Sequence, residues 1–127
     1  MTIGKDLEAR LAATAPVAAL VDVRIFPVTA PAGTAHPFLT YQEVSALDPA
    51  PTLDGPSIWS RSRYQIDAWA DRQDQAEALG LAVRAALDGY TGGAVIKDCR
   101  FADRRWLHEA AEGLHRCSVD FIIWAQE

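Results

Sequence analysis

The sequence predicts an α+β fold: a single domain over residues 1–127, with a largely antiparallel sheet of about five strands and two main helices on one face. Three observations predict it. The length suits one domain. Apolar residues recur at helical spacing in some stretches and alternate with polar residues in others. The elements follow the order helix, short helix, three strands, helix, two strands, which is typical of helices packed on one face of an antiparallel sheet.

The first third of the chain predicts two helical segments and two strands. Over residues 3–13, Ile, Leu and Leu recur every four residues, and Thr2 suits the N-cap. Thr14 and Pro16 fit the cap and opening of a short helical turn through "PVAALV". "DVRIFPV" (22–28) indicates a short strand, with a proline that favours an edge or an end. "FLTYQEV" (38–44) is a second strand.

Residues 45–57, "SALDPAPTLDGPS", are predicted either as a long connecting loop or as the tip of an extended hairpin. A loop of this length in a compact domain tends to be functional or mobile. The strand "IWSRSRYQIDAW" follows. Its alternation places one set of side chains on one face: Tyr64, Ile66 and Ala68. The opposite face carries Arg61, Arg63, Gln65, Asp67 and Trp69.

The second main helix has the clearest pattern in the sequence. Asp71 suits its N-cap, and Gly89 can end it in the left-handed conformation. Its apolar stripe consists of Ala76, Leu79, Val83, Ala86 and Leu87.

Two strands close the chain, "AVIKDCRF" and "HRCSVDFIIW", and the stretch between them, "ADRRWLHEAAEG", is predicted as a charged loop. The last strand turns Cys117, Val119, Phe121 and Ile123 toward the helices. Its other face carries Arg116, Ser118, Asp120, Ile122 and Trp124. Because that face mixes charge with tryptophan, we expect it to be covered by something.

Charge and composition disfavour several classes of protein. The formal net charge is −5, from 17 acidic and 12 basic residues, which disfavours nonspecific nucleic-acid binding. The start "MTIGKDLEAR" lacks the apolar run of a signal peptide, and no stretch is long enough to span a membrane, so we expect a cytoplasmic protein. Cys99 and Cys117 are expected to be free thiols, although on paired strands they could face each other and form a disulfide.

No motif indicates catalysis, a cofactor or a metal, and we predict that the protein is not an enzyme. A zinc site would have to use His108, His115 and Cys117 with Glu109 or Glu112, and that spacing matches no established ligand pattern. No glycine-rich phosphate loop is present.

Four charges stand inside the predicted strands: Arg63, Asp67, Arg116 and Asp120. The two carboxylates could perform acid–base chemistry if one were desolvated. The favoured interpretation is structural, with each aspartate balanced by an arginine on the same sheet face or across the ladder.

Tryptophan and arginine outside the core point to interaction surfaces, because these residue types are enriched at the energetic centres of interfaces. The candidate interface residues are Asp54, Trp59, Arg61, Arg104, Arg105 and Trp106. Plainer interpretations stay open. Trp106 could fold back over the sheet edge, the two consecutive arginines could be a solvated pair, and Asp54 could belong to a simple turn.

Taken together, these stretches resemble the tail-completion or tail-terminator proteins of long-tailed phages and phage-derived gene transfer agents. The matching segments are "RIFPV", "PFLTYQEVS", "LDGP", "RYQIDAWA" before an alanine-rich helix, and "RCSVDFIIW". They follow the family's order across nearly the whole chain. "ADRRWLHEAAEG" matches least.

The resemblance implies a virion protein of the tail and neck that assembles in the host cytoplasm. It implies a ring, usually a hexamer, that caps the tail tube, ends its polymerisation and meets the neck or stopper protein. DNA would pass through the lumen without specific binding, and the net acidity of the chain suits such a passage. No membrane contact and no cofactor are implied. The strand charges would then order a sheet face or a subunit contact.

Two alternatives remain at this point. One is another ring protein of the same neck, such as a stopper or adaptor. The other is a dimeric α+β domain that binds a small ligand, which would need a pocket between helix and sheet with convergent polar groups.

Overall fold

The structure, a computed structural model, describes residues 2–47, 60–109 and 113–126. The elements run along the chain as α1 (Ile3–Ala13), α2 (Ala15–Val21), β1 (Ile25–Pro27), β2 (Phe38–Leu47), β3 (Ser60–Ala70), α3 (Gln73–Leu87), β4 (Ile96–Glu109) and β5 (Leu114–Ala125). Their type and order agree with the prediction. None of the helices in the described ranges has the length and apolar character to cross a membrane.

The strands form one sheet in the order β1-β2-β3-β5-β4. All neighbouring pairs are antiparallel except β1 and β2, which run parallel. The helices pack on one face of this sheet. The predicted fold class, an α+β domain with a largely antiparallel sheet, is therefore confirmed.

The core lies between α1–α3 and the sheet. The predicted alternation in β5 is confirmed, since Cys117, Val119, Phe121 and Ile123 are all buried against the helices. Burial of each large apolar side chain contributes about 1.5–3 kcal/mol. Helix α3 approaches β5 closely at Gly80, where a Cβ would lie 2.5 Å from Cys117 Sγ. Only glycine fits this contact.

The helix ends agree with the sequence at three of four positions, one of which is Thr14 at the N-cap of α2. The Thr2 hydroxyl accepts from the Lys5 amide at 3.2 Å and caps α1. Gly89 follows α3 with a φ of +83°, as predicted. The prediction of Asp71 as the N-cap of α3 is wrong, because the cap position is Arg72, which makes no side-chain capping bond. Asp71 lies instead 2.7 Å from His36 Nδ1.

The prediction of a loop at "ADRRWLHE" is wrong, because β4 continues through it to Glu109 and pairs with β5. The register shifts between Phe101 and Asp103, which is a β-bulge around Ala102. A bulge moves the following side chains to the opposite face. The pattern of alternation therefore breaks in mid-strand, and the sequence reads as irregular.

A buried aspartate joins α1 to the beginning of β4. Asp6 is 4% exposed, and its Oδ2 accepts from the amides of Val95 and Ile96 at 2.9 Å each. A Cβ at Gly93 would overlap the same oxygen. The carboxylate accepts from two backbone amides at the beginning of β4 that would otherwise be buried without hydrogen-bond partners.

The two cysteines are free and do not face each other. Cys99 lies opposite Ile123, whereas Cys117 lies opposite Trp106. Burial is the main cause that raises the pKa of the Cys99 thiol to about 12 and that of the Cys117 thiol to about 11. Both therefore stay protonated and unreactive near neutral pH.

The predicted 45–57 loop is shorter at its start than expected, because β2 continues to Leu47. Strands β2 and β3 pair from Phe38↔Trp69 to Leu47↔Arg61. Asp54 and Trp59, two of the candidate interface residues, lie outside the described residues.

Candidate interaction surfaces

The sheet face opposite the helices has no helix over it in the described ranges, and we call it the open face. It is defined by Arg63, Gln65, Asp67 and Trp69 of β3, Arg116, Ser118 and Asp120 of β5, and Arg105 of β4. The sequence places these side chains together because alternate residues of adjacent strands share one face. Two hydrogen-bonded clusters result.

The first cluster is centred on Asp120, which is only 2% exposed. Arg63 Nε donates to Asp120 Oδ2 at 3.0 Å, and Arg63 Nη2 forms an ion pair with the same oxygen at 2.9 Å. Arg105 donates from Nη2 to Oδ1 at 3.2 Å and from Nη1 to Oδ2 at 3.3 Å. The carboxylate thus accepts from two guanidinium groups that lie on different strands, and it links β3, β5 and β4.

Arg105 is held by three partners. Besides Asp120, its guanidinium donates to Asp103 Oδ2 at 3.1 Å and to Gln65 Oε1 at 3.2 Å. Burial alone would lower the pKa of Arg105, but the hydrogen bond and charge of Asp120, together with Asp103, outweigh it and raise the pKa. Arg105 is therefore engaged within its own chain.

The second cluster is centred on Asp67, which is 5% exposed. Its carboxylate accepts from the Ser118 hydroxyl and from Gln65 Nε2 at 2.9 and 3.0 Å. Arg116 Nη1 lies 3.8 Å from Asp67 Oδ2. The structure thus brings the four strand charges together as two diagonal pairs across the β3–β5 ladder, Arg63 with Asp120 and Arg116 with Asp67.

Aromatic rings extend the open face toward one end of the sheet. The Arg116 guanidinium lies 5.0 Å above the Trp69 ring, and Trp69 stacks on Phe38 with 5.9 Å between centroids. Trp69 Nε1 donates to Thr40 Oγ1 at 3.0 Å. These contacts satisfy the polar handle of the tryptophan while its ring stays half-buried.

The open face meets an uncovered groove of about 400 Å³ at this aromatic end. Residues 28–34 form one wall, and Phe38, Trp69 and Leu114 contribute the other. This groove could not be predicted from the sequence, because one of its walls is an irregular segment with no periodic pattern. The available signal was Trp69, a large aromatic residue on a sheet face that also carries charged residues.

Arg61 lies at the opposite end of the open face, across from Trp124 of β5. It is half-buried, and its Nε has no hydrogen-bond partner within the described ranges. It stands next to Ser60, where β3 begins.

Arg104 and Trp106 lie on the other side of β4 from Arg105, toward the helices. The Arg104 guanidinium is 5.0 Å from the centre of the Trp106 ring, and the Trp106 side chain is 40% exposed. Among the described residues, Arg104 makes no ion pair. The three consecutive candidates therefore separate, with one engaged on the open face and two on the other side.

A groove of about 310 Å³ runs between Trp106 and the start of α3. Gln73 and Ala76 of α3 form one side, and Trp106, His108 and His115 form the other. The imidazoles of His108 and His115 lie opposite each other across β4 and β5, with 4.6 Å between ring centroids. We call this the β4 groove.

The described part of the chain contains no group of three His, Cys, Asp or Glu side chains that could hold a metal ion. Of the zinc set considered from sequence, His108 and His115 come together, whereas Cys117 is fully buried under α3. Glu112 lies outside the described residues.

Comparison with known proteins relates this chain to one family. The model of a protein family described as tail completion protein gp17 matches residues 5–126. A chain of the solved structure titled "Virion of native gene transfer agent (GTA) particle" is similar, with a TM-score of 0.83 and 19% sequence identity. That alignment covers 98% of this chain and 95% of the other, and at such identity it shows a shared fold. No curated protein matches.

Proposed function

The chain belongs to the family of tail completion protein gp17, a structural protein of phage-type tails, and on this premise we propose that it forms a ring capping the tail tube. The ring ends polymerisation of the tube and joins the tail to the head or neck. Its mechanism is geometric and needs no reaction. One face of the ring binds the last layer of tube protein, and the opposite face binds the neck or stopper protein.

The observation that carries this proposal is that two candidate interface residues, Trp106 and Arg61, lie toward opposite ends of the sheet. A closed ring uses heterologous contacts, in which two unlike patches of each subunit meet. Trp106 lies opposite Cys117 of β5, which pairs with Ala68 of β3, whereas Ser60 begins β3 eight residues away. At about 3.3 Å per residue, the two ends are about 26 Å apart.

The open face supports an assembly role in a second way. Its charges are neutralised within the subunit, since Asp67 and Asp120 are buried against arginines of neighbouring strands. Such a network fixes the sheet surface before assembly, so little side-chain ordering remains to oppose association. By the resemblance, we propose a hexamer that assembles in the host cytoplasm and remains in the tail or neck of the particle, where DNA passes through its lumen without specific binding.

A different ring of the same neck, a stopper or adaptor, would share this geometry and differ in its partners. The ligand-binding alternative needs a pocket between helices and sheet. Within the described ranges, the middle of that space is filled by apolar side chains with no exposure, such as Leu79, Val83 and Phe121, and the β4 groove lies at its edge. We therefore favour the ring.

The test is a pair of double variants in particle-producing cells. Arg104→Ala with Trp106→Ala should leave a folded subunit that no longer caps tails, seen as long or headless tails by electron microscopy. The matched control is Arg72→Ala with Leu81→Ala, which removes an exposed arginine and an exposed apolar residue from α3 and its cap. Head-joined tails of normal length from the first variant would refute the proposed surface. Light scattering of the purified protein, alone and with tube protein, tests the ring directly.

A further inference from the structure

We propose that the β4 groove, with Arg104 and Trp106, receives the acidic segment 48–59 of a neighbouring copy of this chain. The inference rests on the ring function proposed above and specifies which two surfaces meet between subunits. Four observations carry it: an uncovered strand edge, a cationic aromatic surface, an acidic segment of the same chain, and a distance from Ser60 to Trp106 that exceeds the backbone reach of this segment.

The outer edge of β4 is covered in its first half and uncovered in its second. The Gly89 amide donates to the Cys99 carbonyl at 2.7 Å, and the Phe101 amide donates to Asp88 Oδ1 at 3.0 Å. These two bonds end at the bulge around Ala102. Beyond it, no strand of the described ranges pairs with the outer side of β4. An uncovered edge is suited to pairing with an extended segment.

The chemistry beside this edge favours an acidic, partly apolar partner. Trp106 offers an exposed ring, and Arg104 lies over it with no carboxylate within ion-pair distance in the described chain. Arg105 is excluded as a contact, because Asp103, Asp120 and Gln65 already hold it. An arginine held on an aromatic ring keeps its planar donors available for a carboxylate.

The same chain contains a segment of complementary chemistry. Residues 48–59 read "DPAPTLDGPSIW", with Asp48 and Asp54, no lysine or arginine, and apolar Leu53 and Ile58. Outside this region, no stretch of twelve residues combines three prolines with two acidic residues and lacks a basic one.

Distance favours a neighbouring copy as the partner of Trp106. The segment joins β2 after Leu47 to β3 at Ser60, the end of the sheet opposite to Trp106. Because both ends of the twelve-residue segment are fixed at this end of the sheet, its backbone reaches at most about 20 Å from Ser60, at about 3.4 Å for each of six residues. Along the strands, Trp106 lies about 26 Å from Ser60, beyond this reach, and Arg104 lies about 20 Å from it, at the limit of this reach. One subunit therefore supplies the segment and the next supplies the groove, as a head-to-tail ring requires.

The experiment uses particles from cells that express two differently tagged chains, one with Trp106→Cys and the other with Asp54→Cys. Both chains also carry Cys117→Ala, because Trp106→Cys would place a new thiol opposite Cys117 on the paired strand, whereas Cys99 is fully buried. After mild oxidation, we expect a covalent dimer that carries both tags. The control pairs Leu81→Cys with Asp54→Cys and should give none. Particles that contain both tagged variants but yield no mixed dimer would overturn the inference and leave the ring function intact. Absence of the chain from particles would instead refute the ring function.

A charge exchange tests the same contact without cysteine. Arg104→Glu and Asp54→Arg should each reduce the fraction of capped tails severalfold, and the two changes in one chain should restore it. Circular dichroism of the purified variants separates misfolding from lost assembly. Restoration supports the contact. Equal loss in the single and double variants, with all of them folded, would overturn it.

Discussion

Replacement of Asp120 by asparagine should destabilise the subunit more than any comparable change on its exposed surface. The substitution preserves the volume of the side chain and removes its charge. It leaves Arg63 and Arg105, which now donate to both carboxylate oxygens, facing an amide that offers one acceptor. The two guanidinium groups lose their shared counterion on a face where Asp120 itself is 2% exposed.

The expected magnitude lies between two limits. Removal of one partner of a fully buried ion pair costs about 3–5 kcal/mol, whereas an exposed pair contributes about 0–1 kcal/mol. The Arg63 and Arg105 side chains are 32% and 42% exposed, so water can partly solvate them after the change. We therefore expect a loss of about 2 kcal/mol in the free energy of unfolding, which for this chain length lowers Tm by about 8 °C.

Urea unfolding followed by tryptophan fluorescence measures this change at a fixed protein concentration, since association would add its own stability. Asp74→Asn is the matched control. Its ion pair with Arg72 has side-chain exposures of 66% and 69%, so the loss should stay below about 0.5 kcal/mol. A double-mutant cycle with Arg63→Met isolates the coupling energy. If Asp120→Asn costs no more than Asp74→Asn, the cluster does not hold the open face, and our account of the strand charges fails.

Three further predictions concern the core. Asp6→Ala should lower the free energy of unfolding by about 2–5 kcal/mol, because two buried amides lose their acceptor. Asp6→Asn should cost less, because it retains an acceptor. Thermal unfolding distinguishes the two variants. Gly80→Ala should destabilise the subunit by about 1–3 kcal/mol, although alanine has the better helix propensity. Cys117→Ala should recover part of that loss in a double variant. If the effects of the two substitutions simply add, the predicted overlap between the new Cβ and Cys117 is wrong. The thiol pKa values of about 12 and 11 exceed the ordinary 9.0, so stability is unaffected below pH 9 and falls as pH rises toward 11–12. A Cys99→Ala, Cys117→Ala variant should lose that pH dependence in urea titrations.

Most of the fold could be predicted from the sequence because most elements bury one side only. In β5, Cys117 to Ile123 alternates between core and open face, and α3 repeats its apolar stripe at helical spacing. Solvent and core impose these periods locally, so they are visible without the rest of the chain. The Asp71 cap failed for a different reason. A hydrogen bond to His36, 35 residues away, competes for its carboxylate, and no local pattern records that partner.

The second half of strand β4 could not be predicted, although its first half, "AVIKDCRF", could, because the second half shows no regular alternation of apolar and polar residues. It is an edge strand, and the shift between Phe101 and Asp103 reverses its alternation. Exposed side chains on both faces leave no apolar period to recognise. The partners of Arg105 could not be predicted either, because Gln65 and Asp120 are 40 and 15 residues away in the sequence.

The bulge also changes the interpretation of the stretch "DRRW". Read as a loop, Arg104, Arg105 and Trp106 form one patch and suggest one task. On a strand, consecutive residues point to opposite faces, so the three residues divide between two surfaces. Arg105 joins the network that fixes the open face, while Arg104 and Trp106 remain at the β4 groove. Stability and assembly should therefore separate by residue, because loss of Arg105 acts on folding of the subunit and loss of Trp106 acts on its contact with the next.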